Sequence, residues 1–137
     1  MLAKTLLSVG FLALWTGGVS VEGYIQNNDG FTAFYADFQK AVKAGDKDKV
    51  AHTVKFDHFD WEASDALRNV KTKEAFLKNY DRMFTPVIKS KIATGKPIKT
   101  DEGYFIMWNT RDLEYLLYFF REKDGGYSFL GLTIGPR

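Results

Sequence analysis

The chain has 137 residues, the length of one domain, with 45% hydrophobic and 16% aromatic residues and a formal net charge of +2. That near balance argues against a dedicated nucleic-acid binder, which carries a basic patch and a strong positive excess. There is no cysteine, so disulfides, thiol catalysis and cysteine-ligated metal are excluded. The aromatic share is high enough for so short a chain to bury a core.

Residues 1–20, MLAKTLLSVGFLALWTGGVS, open with one charge, Lys4. The apolar run Leu6–Trp15 follows, then the small residues Gly17, Gly18 and Ser20. This is the layout of a secretory signal peptide with cleavage near Ser20. The run is marginal for a transmembrane helix, which needs about 20 mostly apolar residues. No cysteine follows it to carry a lipid. The expectation is a periplasmic or secreted protein with no stable membrane anchor after cleavage. Residues 21–29 are expected to be a flexible mature N-terminus, and 30–137 a single domain.

In chain order, Phe31, Phe34, Tyr35, Phe38, Ala41 and Val42 repeat at helical spacing, and Gly45 ends that helix. Asp46 caps a short helix over Lys47–Thr53. Val54–Trp61 is rich in β-branched and aromatic residues and reads as a strand. Thr72 caps a helix that buries Phe76, Leu77, Tyr80, Met83 and Phe84. Thr85-Pro86 starts another, whose apolar face is Val87, Ile88 and Ile92. Tyr104–Trp108, Tyr115–Arg121 and Tyr127–Thr133 read as strands, the last two joined by Lys123-Asp124-Gly125-Gly126. The expected fold is α+β, with N-terminal helices packed on a curved antiparallel β-sheet.

The stretch FYADFQKAVKAGDKDKVAHTVKF resembles the start of the nuclear transport factor 2-like superfamily, which includes ketosteroid isomerases and polyketide cyclases. A long aromatic helix, Ala-Gly-Asp, a short helix and a strand are the shared pattern. The resemblance covers most of residues 30–134 and implies a cone of helices and bent sheet around an apolar pocket, with homodimerisation through the sheet. Its isomerases place a tyrosine donor seven residues before the glycine of Gly-Asp. Phe38 stands there in this chain, and Tyr35 lies one turn earlier. They place a carboxylate base in the strand after the second helix, which by ungapped count makes Glu62 the first candidate and Asp60 the next.

Residues 55–62, KFDHFDWE, leave three readings open. If the stretch is one strand, His58, Asp60 and Glu62 share a face and could ligate a divalent ion with His52 nearby, although no known metal spacing is matched. Alternatively Glu62 or Asp60 is a pocket base, with Tyr35 as donor. The third reading, the one favoured, is an edge strand with Phe59 and Trp61 inside and its charges in water. Phe38, Tyr80, Trp108 and Tyr118 are the residues expected to line an apolar ligand site. Lys89, Lys91, Lys96 and Lys99 form a basic cluster that reads as a solvated helix end. The function expected is an exported non-enzymatic binding module for a small apolar ligand or a protein partner. It needs no cofactor or metal, binds no nucleic acid and is able to pair as a homodimer. An isomerase- or cyclase-like enzyme and a secreted inhibitor or immunity-type protein are the alternatives. A cavity filled by aromatics would favour the last; an empty one with a buried carboxylate would favour the enzyme.

Overall fold

Helix α1, Phe31–Ala44, buries Phe31, Tyr35, Phe38, Ala41 and Val42. This is the stripe its spacing predicts, with Phe34 half-buried beside it. The computed structural model describes residues 29–63, 66–68 and 70–137. The signal-peptide expectation for residues 1–20 and all but the last residue of the expected flexible segment lie outside them. Gly45 sits at φ +68°, a conformation that costs glycine little and breaks the helix. The Asp46 carboxylate then accepts from the Lys49 backbone N–H at 3.1 Å and caps α2, Lys47–His52. Thr72 caps α3, Lys73–Met83, in the same way. Thr85 caps α4, Pro86–Thr94, with proline in its first turn. On α4 only Ile88 and Ile92 are buried; Val87, expected on the apolar face, is 48% exposed.

The strands are β1 (Asp60–Ala63), β2 (Ala66–Arg68), β3 (Ile98–Lys99), β4 (Gly103–Asn109), β5 (Leu113–Arg121) and β6 (Tyr127–Pro136). They form one six-stranded sheet in the order β2-β1-β6-β5-β4-β3. The β3–β6 run is the expected antiparallel meander, and β1–β2 is a second antiparallel pair. The junction between these two parts is parallel: β1 lies beside β6 with Asp60 opposite Gly131 and Glu62 opposite Thr133.

The segment Val54–Trp61 is not one strand. Val54 makes a single bridge to Phe129, Phe56–His58 form a 3₁₀ turn, and the strand begins at Asp60. The turn lets Phe56 and Phe59 both pack against Phe76, at 5.8 and 5.6 Å, whereas in one continuous strand two residues three positions apart would face opposite sides. Nor is β1 an edge. It is flanked by β2 and β6, and the short strands β2 and β3 take the two edges.

The helices lie against one face of the sheet. Across that inner face Ile106, Leu117, Leu132 and Trp61 form a cross-strand row, all buried. Between this face and the helices runs a continuous column of rings. Phe31 stacks on Tyr104 at 3.7 Å, Phe119 meets Phe38 at 5.2 Å, and Phe129 meets Phe38 and Phe59 at 5.2 and 5.5 Å. Phe59 continues to Phe76 at 5.6 Å, and Tyr80 stacks on Phe84 at 4.4 Å. Such edge-to-face and stacked pairs add about 0.5–1.5 kcal/mol each beyond burial. The space where the resemblance implies a pocket is occupied by these side chains.

Candidate functional site

The residues proposed for an isomerase-type site fall on opposite sides of the sheet. Asp60 and Glu62 alternate with buried Trp61 and face outward, exposed. Trp61 faces inward, with the Arg82 guanidinium 5.5 Å from its ring centre. Asp60 Oδ1 lies 3.4 Å from Lys71 Nζ, which also donates to the Phe59 carbonyl at 2.7 Å. Tyr35 is inside. Its hydroxyl donates to the Ile92 carbonyl at 2.7 Å, and Gln39 Nε2 donates to the same oxygen at 2.9 Å. Ile92 is in the last turn of α4, where backbone carbonyls lack helical partners, so Tyr35 and Gln39 complete that helix end. Burial pushes the Tyr35 phenol up to about 12, against the opposing pull of Gln39. A base on one face and a donor on the other cannot meet one substrate.

The expected ligand-lining residues also part company. Phe38 is in the ring column at 1% exposure. Tyr80 is equally buried, and its hydroxyl has no hydrogen-bond partner among the described residues. Burial pushes its phenol up to about 12, with Asp81 and Asp46 adding to the rise. A buried hydroxyl without a partner costs about 1–3 kcal/mol. Tyr80→Phe is therefore expected to leave stability unchanged or raise it by up to about 1 kcal/mol in a urea melt; a loss of that size would reveal a partner for the hydroxyl. Trp108 is half-buried at one end of the inner face, stacked on Tyr115 at 4.7 Å with Lys91 Nζ 5.8 Å from its ring. Its Nε1 has no partner among the described residues. Tyr118 is on the other side of the sheet, 44% exposed.

His58, in the 3₁₀ turn, pairs with Asp57 at 3.0 Å, and His52 Nδ1 lies 2.7 Å from the Asp48 carbonyl. The three-ligand face that one continuous strand would present does not form. Among the described residues no group of three histidines and carboxylates comes together to hold a metal ion. The polar cluster that does form ties the turn to the last hairpin. Lys55 Nζ lies 3.0 Å from Glu122 Oε2, and Ser128 Oγ donates to Glu122 Oε1 at 2.7 Å. The Ser128 hydroxyl, then Lys55, holds Glu122 below its ordinary value of 4.5. A carboxylate lowered by folding stabilises above its unfolded pKa, and that contribution fades as pH falls through the folded value. Ser128→Ala is expected to raise the Glu122 pKa in a carbon-detected NMR titration. The variant should be less stable than the parent at neutral pH, and the gap should close as pH falls below 4.5.

Over β3, β4 and β5 the outer face of the sheet presents apolar side chains to solvent, and at β1 it ends on Asp60 and Glu62. Ile98, Phe105 and Tyr118 form a cross-strand row that continues through Gly131 to Asp60. Met107 and Leu116 form a second, which continues through Thr133 to Glu62. Phe120 extends the patch beside Tyr118 on β5. Ile98, Met107 and Tyr118 are 52%, 48% and 44% exposed. The signal for this surface is in β5 itself. LEYLLYFFR is almost continuously apolar, where a strand with one wet face alternates.

No protein-family model matches the sequence, and no curated protein matches it. Among solved structures, one similar chain is a candidate ketosteroid isomerase from Shewanella frigidimarina, at 9% identity and a TM-score of 0.43, covering 73% of this chain and 89% of that one. Likeness at that level supports no conclusion about this chain's activity. The topology is the α+β arrangement expected from the sequence: helices first, then a sheet whose β3–β6 run is an antiparallel meander.

Proposed function

We propose that the domain is an exported, non-enzymatic binding module that grips a protein partner with the outer face of its sheet. One observation carries this reading: packed rings fill the inner face of the sheet while Ile98, Met107 and Tyr118 stand exposed together on the outer one. Contiguous exposed apolar surface in a folded domain marks interaction sites. Exposed aromatic and methionine side chains such as Tyr118 and Met107 are the types enriched where proteins meet. A small-ligand site inside the cone would have to displace the packed rings of Phe38, Phe119 and Phe129. An isomerase-type reaction would need Asp60 or Glu62 to turn through the sheet. A second copy of the chain is a partner of the same kind, and the homodimer expected from the resemblance would use this face.

The test is a photo-crosslinking residue placed at position 107 or 118 in cells, with position 52 on the helical side as control. An adduct of one defined mass at 107 and 118, absent at 52, is the expected result; twice the chain mass would identify a second copy. With that partner purified, Tyr118→Ala should weaken binding at least tenfold, as truncating an aromatic anchor commonly does. Unchanged affinity would sink the reading. Export is tested separately by sequencing the N-terminus of periplasmic protein, which should begin at Val21.

A further inference from the structure

We infer that the outer face recognises an extended, basic-ended segment of its partner, with arginine at both ends and an aromatic residue between them. The inference rests on the outer face being the working surface. A furrow of about 300 Å³ crosses that face from β1 to β4. Neighbouring strands lie about 4.8 Å apart, so its length is about 14 Å. Its floor is left open by two glycines. A Cβ on Gly131 would lie 2.7 Å from the Asp60 carbonyl oxygen, and one on Gly103 would strike the Phe119 carbonyl. No side chain can fill the furrow from either position without moving a strand.

The lining is apolar in the middle and acidic at the ends. Tyr118, Phe120 and Leu130 line its centre; Asp60 stands at the β1 end and Glu102, with Thr100, at the β4 end. Tyr118 and Phe120 are two residues apart on one face of β5, about 6.8 Å along the strand. Carbon atoms pack best at about 3.5–4 Å, so that interval accepts one planar side chain between the two rings. Carboxylates at both ends select cations. Arginine suits them better than lysine, because its planar fork makes two hydrogen bonds to a carboxylate and stacks on aromatic rings. Lys71 already sits 3.4 Å from Asp60 Oδ1, so an arriving guanidinium shares that carboxylate with it. An extended chain covers about 14 Å in four residue steps at about 3.4 Å each, which places the two arginines four positions apart. The residue midway between them points the same way, and the ring belongs there.

The probe is the peptide acetyl-Arg-Leu-Phe-Leu-Arg-amide, added to the ¹⁵N-labelled full chain and followed by NMR. The amides of Gly103, Gly131 and Tyr118 should shift in a saturable way that weakens with added salt. Replacing both arginines by citrulline, which keeps shape and removes charge, should weaken binding at least fivefold. The Asp60→Asn, Glu102→Gln double variant should lose a similar factor while its unbound spectrum shows it folded. Citrulline peptide binding as tightly, an unaffected double variant, or shifts centred elsewhere would each overturn the inference. If the peptide fails while a partner crosslinked at 107 and 118 still depends on Tyr118, the furrow falls and the outer-face reading stands. If neither binds, both fall.

Discussion

Phe119→Ala is expected to lower the unfolding free energy by about 3–5 kcal/mol, the range for truncating a buried phenylalanine. Phe119 is 1% exposed and meets Phe31, Phe34, Tyr35, Phe38 and Phe129 with ring centres 5.2 to 6.0 Å away. It is where the ring column from α1 joins the sheet. Both surroundings are stiff, a helix on one side and a central strand on the other, so little collapse can refill the void. Urea melts of the two proteins measure the difference. A loss below about 1.5 kcal/mol would mean that the cone is loosely packed, and the small-ligand reading would regain its footing. The outcome therefore bears on function as well as on stability.

Gly131→Ala is expected to cost about 1–3 kcal/mol, as overpacking does, although alanine is the better residue in an ordinary strand. The obstacle is backbone and not a movable side chain: the Asp60 carbonyl at 2.7 Å. Relief requires β1 to slide away from β6. The damage should be local to the parallel junction, and amide exchange in residues 60–63 and 131–134 should speed up more than in β4 or β5. Uniform acceleration would locate the strain elsewhere. Gly135, four positions on in the same strand, has nothing within 4 Å of a built Cβ and serves as the tolerant control.

The helices were legible because their signals are local. Asp46, Thr72 and Thr85 each bond the backbone three residues ahead, and such caps can be read from neighbouring letters. The aromatic strands were legible for the same reason. What could not be read was pairing between distant segments. Nothing in DWEA says that it lies parallel to GLTI, and so nothing said that β1 is interior. The 3₁₀ turn at Phe56–His58 was hidden by residue types that suit a strand equally well. Tyr35 shows the limit for the candidate site. A hydroxyl on a helix facing a cone reads as a catalytic donor until the Ile92 carbonyl is found 2.7 Å away. The outer face could have been found in the unbroken apolar run of β5, a pattern that reads equally well as a core strand covered on both sides.

The place of β6 in the middle of the sheet sets an order of events as the chain folds. The pairs β4–β5 and β5–β6 are joined by short turns and can zip up as hairpins. The pairing of residues 60–63 with 131–134 must close a loop that includes most of the domain, and its entropy cost grows with that length. Folding rates fall as contacts become less local. The β1–β2 pair has nothing to dock on until the last ten residues of the sheet, Tyr127–Pro136, are in place. A nascent chain still missing its C-terminus therefore cannot complete its sheet, however long it waits.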